Sequence, residues 1–238
     1  MDFYGLDFFI TFKRVLNKSG LSELFLKKII MEKIDLPSRS LSNKLSLNET
    51  LQKRVSCRNF DPGALFMQQL SNILWAAQGL VSKQHDMRRT VPSAGATYPI
   101  ELLVAVREDG IRELDPGIYQ YISKEHALKK LSDKDLGEQI SKACFNQEFI
   151  KKAGVSILIA SDDSRTTRMY ANRGERYVYM EAGAVMQNIS LEAVEMGLGT
   201  VIVGAFDDGA VKELFGLQDL NPLAIMPVGL PHDKAFYT

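Results

Sequence analysis

Arg54, Ser56 and Arg58 alternate through Arg54-Val55-Ser56-Cys57-Arg58. Alternate residues of an extended chain point to one side, so an extended segment here presents all three on one polar face. Two guanidiniums and a hydroxyl on one face suit a phosphate monoester with a polyol chain behind it. The guanidiniums donate in a fork and the hydroxyl adds a neutral hydrogen bond. Each charge-assisted bond contributes about 1.5–3 kcal/mol net. A solvated basic stripe has the same pattern, and the alternation alone leaves both readings open.

A second set of residues lies in Thr90 to Val106, T-V-P-S-A-G-A-T-Y-P-I-E-L-L-V-A-V. Pro92, Ser93, Ala94 and Gly95 form a small-residue loop that lets backbone approach a flat ligand closely. Pro92 fixes its own φ, so the loop has fewer states to lose on ordering. The loop feeds an apolar run over 100–106 that reads as a buried strand. A planar cofactor and an ordinary tight turn both fit such a loop. Gln78, in Trp75-Ala76-Ala77-Gln78-Gly79, can reach a ligand or bond the loop after it. Gly204 and Ala205 follow a short apolar run at 200–203 and again put near-bare backbone at a strand end. Nothing in the sequence resembles a catalytic His or Cys constellation.

The elements that must position these residues are legible in outline. Apolar spacing predicts helices over 64–80, 133–143, 175–196 and 208–215, with Gly79 as a C-cap and Asp207 as an N-cap. Strands are expected over 100–106, 118–122, 127–131, 155–160, 200–203 and 223–228. Residues 165–172 read as a polar helix or lid. The helix over 175–196 is apolar nearly all round, so it is expected to be buried in a core or between subunits. Gln187 and Asn188 within it must be hydrogen-bonded if buried. Residues 1–34 read as helical, either a packing or dimer-interface extension or a membrane-surface helix, and 35–50 as a linker pinned by scattered leucines. Tyr98 and Phe206 can stack on a ligand or pack.

Composition narrows the function classes. Of 238 residues, 45% are hydrophobic and 24% charged, the balance of a soluble globular protein. The formal net charge is zero, so nothing suggests bulk attraction to nucleic acid or an anionic membrane. Two cysteines and three histidines are scattered without ligand spacing, so no metal site is expected. Lys13 and Arg14 follow the aromatic N-terminal residues rather than precede them, and that apolar run is too short to span a bilayer. A cytoplasmic protein is expected.

Taken together, R-V-S-C-R-N-F, W-A-A-Q-G, P-S-A-G-A-T-Y-P-I-E-L, R-Y-V-Y-M-E-A-G-A-V-M-Q-N-I-S-L-E-A-V-E-M-G-L-G-T, V-G-A-F-D-D and P-V-G closely resemble the FMN-dependent nitroreductase family. The nearer resemblance is to its SagB-type dehydrogenase branch, which includes peptide azoline oxidases. The resemblance implies an α+β fold with a central mixed or antiparallel sheet flanked by helices, and a homodimer built on the long helix. The resemblance runs from about Leu51 to Pro231 and implies an FMN-binding domain over 51–238; it does not cover residues 1–50, which read as a helical extension and linker. Arg54, Ser56 and Arg58 would hold the FMN phosphate and ribityl chain. Pro92, Ser93, Ala94 and Gly95 would line the flavin ring from the other subunit, with Gln78 nearby. Val203, Gly204 and Ala205 would border the ring, with a backbone N–H near flavin N5. The chemistry would then occur at N5, between NAD(P)H and a small-molecule acceptor, with no catalytic side chain. A peptide-processing partner is the implied alternative, and a non-catalytic flavin-binding scaffold a third. Three departures stand out. Val55 replaces a residue that is often Arg or His. Lys234 is the one candidate in a short tail to replace a basic arm. Arg176-Tyr177 stands where some azoline dehydrogenases have a Lys-Tyr pair, and Arg is a poor proton carrier.

Overall fold

The structure, a computed structural model, describes residues 33–40, 45–81 and 88–233. Of the stretch expected to be helical over 1–34, residues 1–32 lie outside them, as do residues 82–87 and Lys234, while Lys33 and Ile34 belong to a strand instead. In chain order the strands are β1 (Lys33–Asp35), β2 (Phe60–Asp61), β3 (Ile100–Val106), β4 (Gly117–Ile122), β5 (Ala127–Ser132), β6 (Val155–Ser161), β7 (Gly199–Thr200) and β8 (Asn221–Pro231). The α-helices are α1 (Leu47–Lys53), α2 (Met67–Gln78), α3 (Gly137–Ala143), α4 (Ser164–Tyr170), α5 (Gly174–Glu195) and α6 (Asp208–Phe215).

The strands form one sheet in the order β1-β5-β4-β3-β6-β8-β2, with β7 beside β8. Every ladder among the described residues is antiparallel. Antiparallel sheets commonly leave one face wet, but here both are covered. Leu102, Val104 and Val106 of β3 pack with Val155, Ile157 and Ile159 of β6 under α2 and α5. Leu103 and Ala105 face the opposite layer with Leu158 and Ala160, under α3 and α6. This double burial is why the central strands read as continuous apolar runs rather than alternating ones.

Local signals account for most element ends. Asp207 accepts the Ala210 N–H at 2.8 Å and caps α6, as expected. α3 starts at Gly137 rather than 133 because the Asp135 carboxylate accepts the Gly137 N–H at 2.8 Å. The last strand is longer than expected, and the run at 200–203 is split: β7 stops at Thr200, and Val203 bridges Ile225. The end of the stretch expected to be helical is extended instead: β1 adds to the edge of the sheet by pairing with β5. The stretch expected to be a linker also holds more structure, with Leu36 buried in the core. Ser46 and Glu49 form a reciprocal capping box that starts α1, a signal present in Ser46-Leu47-Asn48-Glu49.

The helix α5 is buried along one side only. Val178, Ala182, Val185 and Ile189 face the sheet, and Asn188 Nδ2 donates to the Ala76 carbonyl at 2.9 Å, which satisfies that amide. Tyr179 and Met180, 59% and 62% exposed, stand on the outer side with Gly183 and Gln187. A Cβ at Gly183 would meet nothing within 4 Å. The apolar circumference read from the sequence is therefore two faces, one used within the protomer and one open.

Candidate functional site

Arg54 closes α1, its N–H donating to the Thr50 carbonyl at 3.0 Å. The chain then runs extended beside β7, where the Cys57 N–H donates to the Thr200 carbonyl at 2.9 Å. Arg54, Ser56 and Arg58 are exposed while Val55 and Cys57 are half-buried, which is the expected alternation. The three polar side chains make no hydrogen bond or ion pair among the described residues. Close packing underneath holds the face in place: a Cβ on Gly199 would come within 2.6 Å of Cys57 Sγ. The far end of β8 closes the same region. The His232 N–H donates to the Asn59 carbonyl at 3.0 Å, and His232 Nδ1 lies 2.6 Å from Asp61 Oδ1.

Val203, buried, leads to exposed Gly204 and Ala205, and a Cβ on Gly204 would stand in open space. The Gln147 amide donates to the Ala205 carbonyl at 3.3 Å, and the Asp207 N–H to the Ala143 carbonyl at 2.9 Å. These bonds tie the strand-end loop to the turn after α3. In that turn Phe145 and Asn146 both have left-handed backbone, φ +56° and +61°, and Phe145 is 66% exposed. A bulky side chain held at positive φ marks local strain, of a kind that clusters at functional sites. Phe206 packs against the layer under α3 and α6. The nearby thiol of Cys144 is buried, which pushes its pKa up to about 11, so it is a poor nucleophile at neutral pH.

The small-residue loop forms a tight turn over Ala94–Ala96. Gly95 sits at φ +59°, and a Cβ there would fall 2.6 Å from Met169 Sδ and 2.8 Å from Tyr170 Oη. Ala96 and Tyr98 also have positive φ. Ser93 Oγ accepts the Tyr98 N–H at 2.8 Å, and Thr97 Oγ1 lies 2.8 Å from Thr166 Oγ1. Arg165 of α4 donates to the Tyr98 carbonyl at 3.0 Å and pairs with Glu101 at 2.7 Å. Pro92 and Gly95 are exposed; Ser93 and Ala94 are half-buried.

Gln78 lies beneath this loop, 1% exposed, with both ends of its amide committed. Arg89 Nη1 donates to Gln78 Oε1 at 2.7 Å, and Gln78 Nε2 donates to Glu181 Oε1 at 3.4 Å. The Arg89 guanidinium stacks 4.5 Å from the centre of the Tyr98 ring. Glu181 is 5% exposed on the inner side of α5. Burial raises its pKa, against contacts with Ser93 and Gln78 and the charge of Arg89. Burial lowers that of Arg89, opposed first by Glu101 and then by Glu181. The sequence left Gln78 open between reaching a ligand and bonding the loop after it; within the protomer its amide is committed to Arg89 and Glu181. Arg89 and Glu181 were missed, since a lone Glu or Arg in a sequence reads as solvated.

The structure thus brings the Arg54–Arg58 segment beside β7, whose last residue stands three positions before Val203. In the second loop Gly95 lies against Met169 and Tyr170 of α4, and Ser93 against Glu181 of α5. Among the described residues no helix is long and apolar enough to cross a membrane.

A sheet with helices on both faces, an exposed pair of arginines beside its edge and two loops of small residues define an α+β architecture. The nitroreductase family model matches residues 51–230, and the chain belongs to the nitroreductase family. It is 41% identical over 186 residues to the protein of Methanocaldococcus jannaschii named as nitroreductase MJ1384, covering 78% of this chain and 91% of that one. It is 25% identical over 155 residues to the microcin B17-processing protein McbC of Escherichia coli, covering 62% of this chain and 56% of that protein. A solved nitroreductase structure from Ralstonia eutropha superimposes with a TM-score of 0.74 at 28% identity, over 86% of this chain and 92% of that one. The α+β nitroreductase fold expected from the sequence is borne out, and membership supports a general oxidoreductase role.

Proposed function

We propose that this chain is an FMN-dependent oxidoreductase that passes hydride between NAD(P)H and a small organic acceptor. The observation that carries the proposal is the exposed face of Arg54, Ser56 and Arg58. Its two guanidiniums and hydroxyl have no partner among the described residues, and it lies directly beside the strand that leads to Gly204. The chemistry of that donor set fits a phosphate monoester, and the open backbone at Gly204 and Ala205 fits the edge of a flat ring.

Each group then has a role. Arg54 and Arg58 bind the phosphate, and Ser56 the ribityl chain. Lys234 is a further candidate for the phosphate. Bound FMN supplies two-electron hydride transfer at its N5. Gly204 and Ala205 would lie at the edge of the ring and leave room for a substrate, with Val203 anchoring them to β8. Pro92, Ser93, Ala94 and Gly95 cover the ring from a second copy of the chain, which explains why their contacts within one protomer run elsewhere. The open face of α5, with Tyr179, Met180 and Gly183, is the surface on which that second copy docks. A domain over 51–238 carries all of this, and the protein works in the cytoplasm.

A second reading is favoured by the likeness to the microcin-processing protein McbC. Here the chain is a peptide dehydrogenase that takes electrons from its substrate and works with a partner docked through residues 1–50.

The site is tested by titrating FMN into the unaltered protein and into the Arg54→Ala/Arg58→Ala variant. At about 1.5–3 kcal/mol per charge-assisted bond, the variant should bind roughly a hundredfold or more weakly, with its fold intact by circular dichroism. Equal affinity in a folded variant would remove the phosphate site from the account.

A further inference from the structure

A line from buried Glu181 through buried Gln78 to half-buried Arg89 is used by nothing in the function above. It runs from the inner side of α5, across the end of α2, to the base of the Pro92–Gly95 loop. Burying ionised groups is costly, and such groups are retained where their charge or geometry does something. The geometry is specific. One primary amide is held at both ends, at 2.7 Å by Arg89 and 3.4 Å by Glu181. The Arg89 backbone N–H also donates to Tyr98 Oη at 3.3 Å, while its guanidinium covers the same ring. Tyr98 in turn donates its N–H to Ser93. Every link thus ends in the loop assigned to the flavin.

We propose that Glu181 and Arg89, joined by Gln78, are positioning residues that hold the loop from Ser93 to Tyr98 and set the electron affinity of a flavin lying on it. The inference rests on the flavin reading above. A reduced flavin carries negative charge, so a fixed cation behind the loop favours reduction and a fixed anion opposes it. Arg89 and Glu181 therefore act with opposite sign on one equilibrium. A merely structural pair would not do so. The groups that face Glu181 are Gln78 of α2 and Ser93 and Arg89 of the intervening segments. Tyr98, Glu101 of β3, Tyr121 of β4 and Arg165 of α4 surround Arg89.

The test uses the full chain loaded with FMN and measures the flavin midpoint potential from pH 5 to 8. Glu181→Gln keeps the hydrogen bond to Gln78 and removes the charge. Its potential should lie above that of the unaltered protein at high pH and converge with it at low pH, where Glu181 is protonated in both redox states. Arg89→Met should shift the potential downward at every pH. Arg89→Lys, which keeps the charge and loses the fork, should stay near the unaltered potential while binding FMN several-fold more weakly; it serves if Arg89→Met does not fold. Shifts of the same sign for Glu181→Gln and Arg89→Met, or superimposed potentials at all pH values, would overturn the inference and leave the flavin reading intact. Failure of the unaltered chain to bind FMN would overturn the flavin reading, and this inference with it.

Discussion

At the scale of single residues, what matters is which polar groups are free and which are spent. Arg54, Ser56 and Arg58 have no partner among the described residues, and Gln78 is spent. The buried carboxyl of Glu181 makes a stability prediction that needs no cofactor. Its folded pKa is raised by burial, so the unfolded chain releases this proton at lower pH than the folded chain does. Between those two values the native state binds more protons, and stability falls as pH rises through the window. Glu181→Gln should remove that fall. Urea denaturation at pH 4 and pH 8 should show the variant gaining stability relative to the unaltered protein only at the higher pH. A constant difference at both would assign the effect to packing. The alternation over 54–58 was legible because period two needs only residue types. The Glu181–Gln78–Arg89 line was not, because it joins three separate segments and is visible only once the sheet has brought α2 and α5 together.

At the scale of elements, packing decides where helices meet. Gly174 opens α5 at the point where it crosses α4, and a Cβ there would lie 2.7 Å from Thr167 Cα. That neighbour is backbone and cannot swing aside. Gly174→Ala should therefore force α4 and α5 apart and cost about 1–3 kcal/mol, as overpacking typically does, read as a lower urea midpoint. An unchanged midpoint would mean the two helices slide freely. Because α4 also carries Met169, Tyr170 and Arg165 against the Gly95 loop, the same variant should loosen FMN binding. The strands were legible as elements because double burial makes them uniformly apolar. The short pieces β1 and α1 were not read. Three residues of edge strand carry no periodicity, and the Ser46–Glu49 capping box stood in a stretch whose serines and asparagines suggested a linker. The positive φ at Phe145 is set by tertiary contacts and has no sequence signal.

The scale of the whole molecule concerns the open face of α5. Sequence periodicity showed a helix with too little polar surface, and the protomer accounts for half of it. The remaining side carries Tyr179 and Met180 with Gly183 between turns, and a side chain at Gly183 has open space in the protomer. Gly183→Glu should thus leave the protomer folded. A charge placed in an apolar interface should shift a dimer toward monomer in sedimentation velocity and weaken FMN binding with it, since the loop at Pro92–Gly95 would lose its opposite half-site. A variant that remains dimeric would place the interface elsewhere. Residues 1–50 belong to this scale too: if they dock a peptide-processing partner, removing residues 1–32 should leave flavin binding unchanged.

The claim on which the rest depends is that the chain is a flavin enzyme fed by a nicotinamide. It is tested most directly by the visible absorption spectrum of the purified protein, saturated with FMN and followed through an anaerobic addition of NADPH and then NADH. The account predicts a protein-bound flavin spectrum that bleaches with at least one of the two donors and returns when an acceptor is added. A bound flavin that stays oxidised with both would contradict the nicotinamide half of the account and shift it to the peptide dehydrogenase. A protein that takes up no FMN would contradict it entirely.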